Sequence, residues 1–379
     1  MKPSILPLLL LALSLLACQP QAPSTTTTAP PAQTEAFQAI LDSMLQQHPG
    51  MTGLMAHVEA PEQGISWSGA AGKQGPEKGQ PLRADQPVLI ASNTKTYVSV
   101  SILRLVEMGK VKLDQPIGAL LSDQTRELLI TDGYDLEGIT VAHLLSHTGG
   151  VFNYVDAEDF FGRMEKNPKH RWTRDEQIAL AISAGEPLGK AGALFKYADT
   201  NYLLLTEIIE QLTGQPFYEA MKELMAYERH GLTATWFHTL EPAPQGVKPL
   251  AYQYVGSLSI NSYQLDASYD LYGGGGLAAT SKDLARFSQL LFEGKFFEKP
   301  ETLDLIYTKM PTEDQQDSNY LLGLSSSKVK AMQSYGHGGY WGTTVKYIPE
   351  LNASIAIFIL ERDERKYRPV VMEAIVGQL

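Results

Sequence analysis

The stretch QPVLIASNTKTYVSVSILRLVEMG, residues 86–109, indicates both how this chain folds and where its chemistry lies. Its first part is an apolar run that predicts a short buried strand, and from Thr94 the apolar residues recur at helical spacing. Ser92 and Lys95 stand at the junction, three positions apart, so a helix makes them neighbours on one face. A backbone N–H at the start of that helix is also a ready donor for an oxyanion.

Spacing alone does not identify this pair as chemically special. Ser325 with Lys328, and Ser327 with Lys330, repeat it within a polar stretch that has no evident helical pattern. The alternative explanation of Ser92 is an ordinary helix N-cap followed one turn later by a solvated lysine. Further motifs have to decide between a nucleophile and a cap.

The first residues, MKPSILPLLLLALSLLAC, have the form of a secretory signal segment. Lys2 precedes an apolar run that is too short to span a bilayer, and Ala17 is the small residue before the cysteine. Residues 15–18 resemble the lipobox of bacterial lipoproteins, which implies that residues 1–17 are a removed signal peptide and that Cys18 is lipidated. Residues 18–34 are rich in proline and threonine and predict an extended tether. We expect a lipoprotein anchored in the bacterial cell envelope on the periplasmic face, at the outer membrane if the host has one.

The net charge and the cysteine content limit which partners and which cross-links the chain can have. The chain has 379 residues and a formal net charge of −11, so nucleic acid is not an expected partner. Cys18 is the only cysteine, which excludes a disulfide framework. Residues 35–379 have the composition of one large globular unit, whose length suggests two closely packed lobes. We expect this unit to be monomeric.

Strand patterns lie at both ends of this unit, and helical patterns lie between them. Strands are predicted near 53–59, 65–70, 343–348 and 353–360, and helices at 37–45, 94–108, 140–147, 176–184, 201–213 and 217–228. This order predicts an α+β fold in which the N- and C-terminal segments, about 35–90 and 278–379, form one antiparallel sheet flanked by helices. Residues of about 91–277 form an inserted, mainly helical lobe, and a site is expected in the cleft between the lobes.

Two further constellations accompany the Ser92 motif. Tyr197 and Asp199 lie in the loop before a predicted helix, and residues 337–339, His-Gly-Gly, open a predicted strand, where glycines indicate the close approach of a backbone or a ligand. In this order and at these separations the three motifs resemble those of the serine β-lactamase and penicillin-binding-protein superfamily, on its class C side. That side includes D,D-carboxypeptidases, D-aminopeptidases and β-lactamase-like esterases. The phrases LLSHTGGV (144–151), YADTNYLLL (197–205) and GGGGLAATSKDLARF (273–287) extend the similarity to roughly residues 36–379.

The resemblance implies a β-lactamase/transpeptidase-like fold and a covalent mechanism. Ser92 would attack an acyl carbon and form an acyl-enzyme, while Lys95 and Tyr197 would share the proton transfers. A phenol has a pKa of about 10 and an ammonium of about 10.4, so the choice of base between these two coupled groups stays open. The backbone N–H groups of Ser92 and Tyr340 would bind the oxyanion.

Two substrate-binding positions depart from the usual residues of the family. Asp199 stands where asparagine or serine is usual; an anion there would stabilise Lys95 as a cation and repel a substrate carboxylate, although Asp199 also stands where a helix N-cap belongs. His337 stands where β-lactamases have lysine, and a neutral imidazole binds a carboxylate less well. With Gly338 and Gly339, these residues are expected to favour neutral or amine-bearing acyl substrates over those with a free carboxylate.

Competing chemistries have less support. His143 and His147 have a zinc-compatible spacing, but no His-Glu-x-x-His motif or third ligand accompanies them, so no metal and no other cofactor is expected. There is no Gly-x-Ser-x-Gly motif, and residues 273–276 are expected to be flexible backbone beside the cleft rather than a phosphate loop. The expected function is a serine acyl hydrolase acting on a small ester or an amide or peptide, including peptidoglycan-derived ones. The alternatives are a lipoprotein that binds penicillin or peptidoglycan peptides without turnover, and a true class C-like β-lactamase.

Overall fold

The computed structural model describes residues 28–74, 79–314 and 318–379. The predicted signal segment, Cys18 and most of the predicted tether lie outside these residues. The last part of the tether, residues 28–34, is not extended as expected, because Thr28 pairs with Ser66 and a helix begins at Pro31. Proline is well suited to a first helical turn, where its missing N–H leaves no hydrogen bond unmade.

The described residues form eleven strands and twelve α-helices. The strands are β1 (Gly53–Ala60), β2 (Ile65–Gly72), β3 (Val88–Leu89), β4 (Thr235–Phe237), β5 (Tyr254–Val255), β6 (Ile260–Asn261), β7 (Leu277–Ala279), β8 (Ser325–Val329), β9 (Met332–Gly338), β10 (Thr343–Ile348) and β11 (Ala353–Ile359). The helices are α1 (Pro31–Gln47), α2 (Thr94–Glu107), α3 (Asp123–Thr131), α4 (Val141–Leu145), α5 (Phe160–Lys166), α6 (Arg174–Ala184), α7 (Thr200–Thr213), α8 (Phe217–Leu224), α9 (Tyr227–His230), α10 (Ser281–Phe292), α11 (Pro300–Asp304) and α12 (Arg368–Val376). None of these helices combines the length and the hydrophobicity that a membrane crossing requires.

The central feature is a six-stranded antiparallel sheet in the order β2-β1-β11-β10-β9-β8. β1 pairs with β2 on one side and with β11 on the other, with Ala56 opposite Ile357 in the second pairing. Every residue of β11 is buried, as expected for a strand covered on both faces. α1 and α12 cover one face, where Phe37 and Ile375 join one apolar cluster, and α10 packs on the other. The predicted α+β fold, with one sheet built from both ends of the chain, is confirmed.

The inserted lobe surrounds α2 and α7, both of which are almost wholly buried. Two small sheets, β3-β7-β4 and β5-β6, accompany it. The short buried strand predicted before Ser92 is β3, but the other strands of these sheets were not predicted, because strands of two or three residues show no periodicity. The single helix predicted at 217–228 is also wrong: α8 ends at Leu224, and Ala226, with a left-handed φ of 44°, separates it from α9. The two lobes meet at a cavity of 440 Å³ that the tip of β9 and the start of α2 both reach.

Candidate active site

A tight turn presents Ser92 to the cavity. After β3, residues Ala91–Asn93 form one turn of 3₁₀-helix, and Ala91 has a left-handed φ of 47°, which is strained for a residue with a Cβ. The Asn93 amide holds the turn by donating to the Ile90 carbonyl at 2.8 Å and to Thr343 Oγ1 on β10 at 2.9 Å. Asn93, not Ser92, occupies the N-cap position of α2, so the explanation of Ser92 as an ordinary cap does not hold.

Lys95 lies in the first turn of α2, three residues after Ser92, with its side chain fully buried. Its Nζ donates to Ser92 Oγ at 3.2 Å, to Asp199 Oδ1 at 2.5 Å and to the Gly274 carbonyl at 2.5 Å. Three acceptors match the three protons of an ammonium group. Burial alone would lower the pKa of Lys95, but Asp199, with smaller contributions from Tyr197 and Asp270, outweighs burial and raises that pKa above its usual range. Lys95 is therefore a cation at neutral pH.

Tyr197 completes the group around the nucleophile. Lys95 Nζ lies 5.0 Å from the centre of the phenol ring. Burial raises the pKa of Tyr197 to about 12, although Lys95 and a hydrogen bond with Ser92 each act to lower it. The resting site thus holds an ammonium and a neutral phenol. Either group can accept the serine proton only after it has passed its own proton on, so the choice of base remains a property of the pair.

Asp199 does not use its side chain as a cap. It occupies the N-cap position of α7, but its carboxylate makes no cap hydrogen bond and points to Lys95 instead. Its backbone N–H donates to Asn153 Oδ1 at 3.0 Å, which fixes the loop before the helix. A buried cation attracts a carboxylate more strongly than a backbone N–H does, and this decides between the two explanations that the sequence left open.

The sequence suggested that His337 lies at the start of a strand, but it lies at the end of one. β9 ends at Gly338, and the His337 ring lines the cavity there. Its Nδ1 donates to the Gly338 carbonyl at 2.8 Å, and its Nε2 accepts from the Tyr320 hydroxyl at 3.1 Å. Burial lowers the pKa of His337 to about 3, so the ring is neutral. Both ring nitrogens are engaged within the protein, and the substrate-binding role expected from the sequence stays a prediction.

The segment after β9 packs directly on the Ser92 turn. A Cβ on Gly339 would lie 2.4 Å from the Ile90 carbonyl oxygen and 2.2 Å from Thr343 Oγ1, so only glycine fits. This approach puts the peptide between Gly339 and Tyr340 alongside the Ser92 turn. The predicted pair of oxyanion donors, the N–H groups of Ser92 and Tyr340, requires such an arrangement.

The glycine run at 273–276 is closely packed, contrary to the expectation of flexible backbone. A Cβ on Gly274 would lie 3.2 Å from Asp199 Oδ1 and 3.1 Å from Asp270 Oδ1, and one on Gly275 would lie 2.1 Å from Asp270 Oδ2. The run therefore leaves room for both carboxyl groups in the neighbourhood of Lys95. Burial, with a further contribution from Asp199, raises the pKa of Asp270 to about 8.

Three cavity residues had no signal in the sequence: Asp270, Arg365 and Arg368. Arg368 donates from Nη1 to the carbonyls of Gly339, at 3.3 Å, and Thr343, at 2.5 Å, and burial lowers its pKa to about 10. Arg365 donates to the Tyr340 carbonyl at 3.4 Å. Both arginines belong to the C-terminal segment around the start of α12, and only tertiary packing brings them to the cavity. The opposite wall is apolar and consists of Val155, Phe160, Phe161, Met164, Leu258, Ile260 and Leu265.

The two histidines with zinc-compatible spacing have separate structural contacts. His143 Nδ1 accepts from the Thr140 N–H at 3.1 Å and completes a capping box at the start of α4. His147 Nδ1 accepts from the Ala198 N–H at 3.2 Å, which holds the loop that carries Tyr197. Among residues 28–74, 79–314 and 318–379, no cluster of three potential metal ligands occurs.

The chain is similar to several known proteins in sequence and in fold. The family model described as Beta-lactamase matches residues 35–372. Penicillin-binding protein 4* of Bacillus subtilis is 23% identical over 78% of this chain and 65% of its own length, and Esterase EstB of Burkholderia gladioli is 30% identical over 54% and 52%. The chain thus spans about half to two thirds of these relatives. A D-stereospecific amidohydrolase from Streptomyces sp. has the same fold, with a TM-score of 0.74 and 24% identity over 91% of this chain and 99% of that protein.

Proposed function

The chain belongs to the β-lactamase family, and from this premise we propose that it is a serine acyl hydrolase acting on a small ester, amide or peptide through an acyl-enzyme on Ser92. The observation that carries the proposal is the position of Lys95 Nζ, 3.2 Å from Ser92 Oγ and held by Asp199 on its other side. Covalent catalysis needs a nucleophile and a proton-transfer partner within hydrogen-bond reach of each other, and a third group that orients the partner.

The proposed reaction has two steps. In the reacting form the pair formed by Lys95 and Tyr197 has first lost one proton to solvent. Ser92 Oγ then bonds to the acyl carbon while its proton passes into this pair, and the N–H groups of Ser92 and Tyr340 hold the oxyanion. The same pair returns a proton to the leaving alcohol or amine as its bond to the acyl carbon breaks. A water molecule then attacks the acyl-enzyme, gives a proton to the pair, and releases the acid and free Ser92.

The test is covalent labelling with a fluorophosphonate combined with hydrolysis of p-nitrophenyl acetate. Ser92→Ala should abolish both. Ser325→Ala is the matched control, because Ser325 has the same spacing to Lys328 but lies on β8, where side chains three positions apart point to opposite faces. Lys95→Ala and Tyr197→Phe should each lose orders of magnitude in rate, and the losses should not add because the groups act as one unit. An alanine variant at Ser92 that keeps most of its rate would show that the nucleophile is another residue.

One observation favours a second candidate within this class. Arg365 and Arg368 line the cavity and form no ion pair with any described residue, so they offer a place for a substrate carboxylate that the sequence did not predict. This supports keeping D,D-carboxypeptidase and class C-like β-lactamase activity as alternatives to esterase or amidase activity. Comparing kcat/KM for a simple ester, a D-amino-acid amide, a D-Ala-D-Ala peptide and nitrocefin separates them. Labelling without turnover of any of these would favour the binding lipoprotein.

We also propose that the mature protein is anchored through lipidated Cys18 in the bacterial cell envelope, with the domain on the periplasmic face. The support is the lipobox-like sequence at 15–18 and the tether that follows it. The monomeric state expected from the sequence stays a prediction.

A further inference from the structure

Asp270 is a carboxyl group of the cavity that the proposed hydrolysis does not use. It ends a 3₁₀ turn, Ala267–Asp270, which neighbouring elements hold firmly. The Tyr269 carbonyl accepts from the Tyr154 hydroxyl at 2.8 Å and from Gln177 Nε2 at 2.7 Å, and Ser268 Oγ accepts from the Trp172 N–H at 2.8 Å. The position of the Asp270 side chain is therefore set by the protein before any substrate arrives.

No residue of the described ranges donates a hydrogen bond to the Asp270 carboxyl group. The nearby cation, Lys95, spends its three protons on Ser92, Asp199 and the Gly274 carbonyl. Asp270 interacts electrostatically with four titratable groups: Asp199, Lys95 and the phenols of Tyr154 and Tyr269. A carboxylate that is largely withdrawn from water beside a second carboxylate is unfavourable unless a cation joins it.

The position of Asp270 suits a cation carried by the acyl part of a substrate. Asp270 Oδ1 and Asp199 Oδ1 both lie beside Gly274, 3.1 and 3.2 Å from the point where a Cβ of that residue would lie. Asp199 in turn contacts Lys95, which contacts Ser92. The α-amino group of an amino acid is two bonds from its acyl carbon, so an aminoacyl group on Ser92 keeps its ammonium close to this side of the cavity.

The remaining wall of the cavity suits an apolar side chain. The wall is lined by Phe160, Met164, Ile260 and Leu265. It extends to the rim through the exposed side chains of Phe161 and Leu258. The cavity thus combines the Asp270 carboxyl group, an apolar wall and the nucleophile. An aminoacyl group with an apolar side chain matches all three features: its ammonium group suits the carboxyl group, its side chain suits the apolar wall, and its acyl carbon is the target of the nucleophile.

We propose that Asp270 binds the free α-ammonium group of the substrate, so that the preferred substrates are esters, amides or peptides of an apolar amino acid with an unblocked amino terminus. This inference rests on the proposed acyl hydrolase function and adds the substrate class. Asp270 acts in it as a specificity-determining residue. The same carboxyl group would reject acyl groups that are blocked on nitrogen, since an amide nitrogen carries no charge.

The experiment compares three methyl esters that differ only at the α position: those of phenylalanine, as both enantiomers, of N-acetylphenylalanine and of 3-phenylpropanoic acid. For the wild type, kcat/KM should be about 10- to 100-fold higher for the free amine, the usual worth of a hydrogen bond to a charged group. Asp270→Asn keeps the shape of the side chain and should reduce the preference to nearly one. Glu158→Gln removes a solvent-exposed carboxylate and is the matched control, which should keep the preference.

The outcomes separate this inference from the function on which it rests. If fluorophosphonate labels Ser92 and all three esters are hydrolysed alike, the ammonium inference is wrong and the acyl hydrolase stands; absence of labelling and of turnover overturns both. A loss in Asp270→Asn that is equal for all three esters would make Asp270 a positioning residue and overturn the binding role. Should that variant fail to fold, competition in the wild type decides: 2-phenylethylamine should inhibit ester hydrolysis at least about tenfold more tightly than 2-phenylethanol, and equal inhibition refutes the inference.

Discussion

Replacing Asp199 with asparagine should change the protonation of Lys95. The two charges lie 2.5 Å apart, and at an effective dielectric constant of 20 they attract by about 7 kcal/mol. Asparagine keeps the shape and removes this attraction. Burial, which alone lowers the pKa of Lys95, then dominates, and the lysine becomes a neutral amine at a lower pH. The free amine can accept the proton of Ser92, so the acidic limb of the pH–rate profile should move to lower pH.

The stability of this variant should depend on pH with a defined sign. In the wild type the raised pKa of Lys95 stabilises the fold at every pH below about 10.4, the value in the unfolded chain. In Asp199→Asn the pKa of the folded state lies below that value, so the unfolded chain binds more protons and stability rises with pH. Breaking a buried ion pair costs about 3–5 kcal/mol. The loss should be largest in mild acid and become smaller toward pH 10, where the variant no longer has to bury a charged lysine while the wild type still keeps its ion pair.

The assay is p-nitrophenyl acetate hydrolysis from pH 5 to 10, with thermal unfolding measured over the same range. Asp156→Asn is the control, because it breaks an exposed pair with Lys196 at 3.6 Å that should contribute no more than about 1 kcal/mol. In Asp199→Asn, relative activity toward carboxylate-bearing substrates should also rise, since the substitution removes a negative charge from the cavity. A pH–rate profile that coincides with the wild type, together with a stability loss that is the same at pH 6 and pH 10, would refute the assignment of Asp199 as the counter-ion of Lys95.

Two further predictions follow from the packing of the β9 tip and from the N-terminal sequence. Gly339→Ala should lower kcat by about 10²- to 10³-fold, the usual effect of displacing one oxyanion donor, because its Cβ would push the segment off the Ser92 turn. Gly162→Ala is the control and should keep wild-type activity, because a Cβ there meets nothing within 4 Å. Similar rates for the two variants would contradict the close approach of Gly339 to the Ser92 turn. Cys18→Ser should move the protein from the membrane fraction to the soluble fraction in fractionated cells, and unchanged partitioning would rule out the anchor.

The parts of the molecule that the sequence predicted are those encoded by local patterns. The junction at Ser92 and Lys95 follows from an apolar run that turns into a helical period, and the last strand, β11, follows from a continuous apolar run after a turn. Arg368 and Asp270 could not be placed in this way, because contacts with distant segments position them: Gly339 for the arginine, and Tyr154 and Gln177 for the turn that carries the aspartate. His337 was misplaced within its strand because glycines at a strand end and at a strand start look alike in sequence.

The pairing of β1 with β11 has a consequence for the order in which the molecule can assemble. It joins Leu54 to Ile359, so the centre of the sheet has nothing to pair with until nearly all of the chain has been synthesised. Such distant pairings have a high contact order and form slowly. The Ser92 turn is held by Thr343 on β10, which means that the nucleophile takes up its final geometry only after the late strands have docked, and a nascent chain that lacks them carries the Ser92 motif without the support that shapes it.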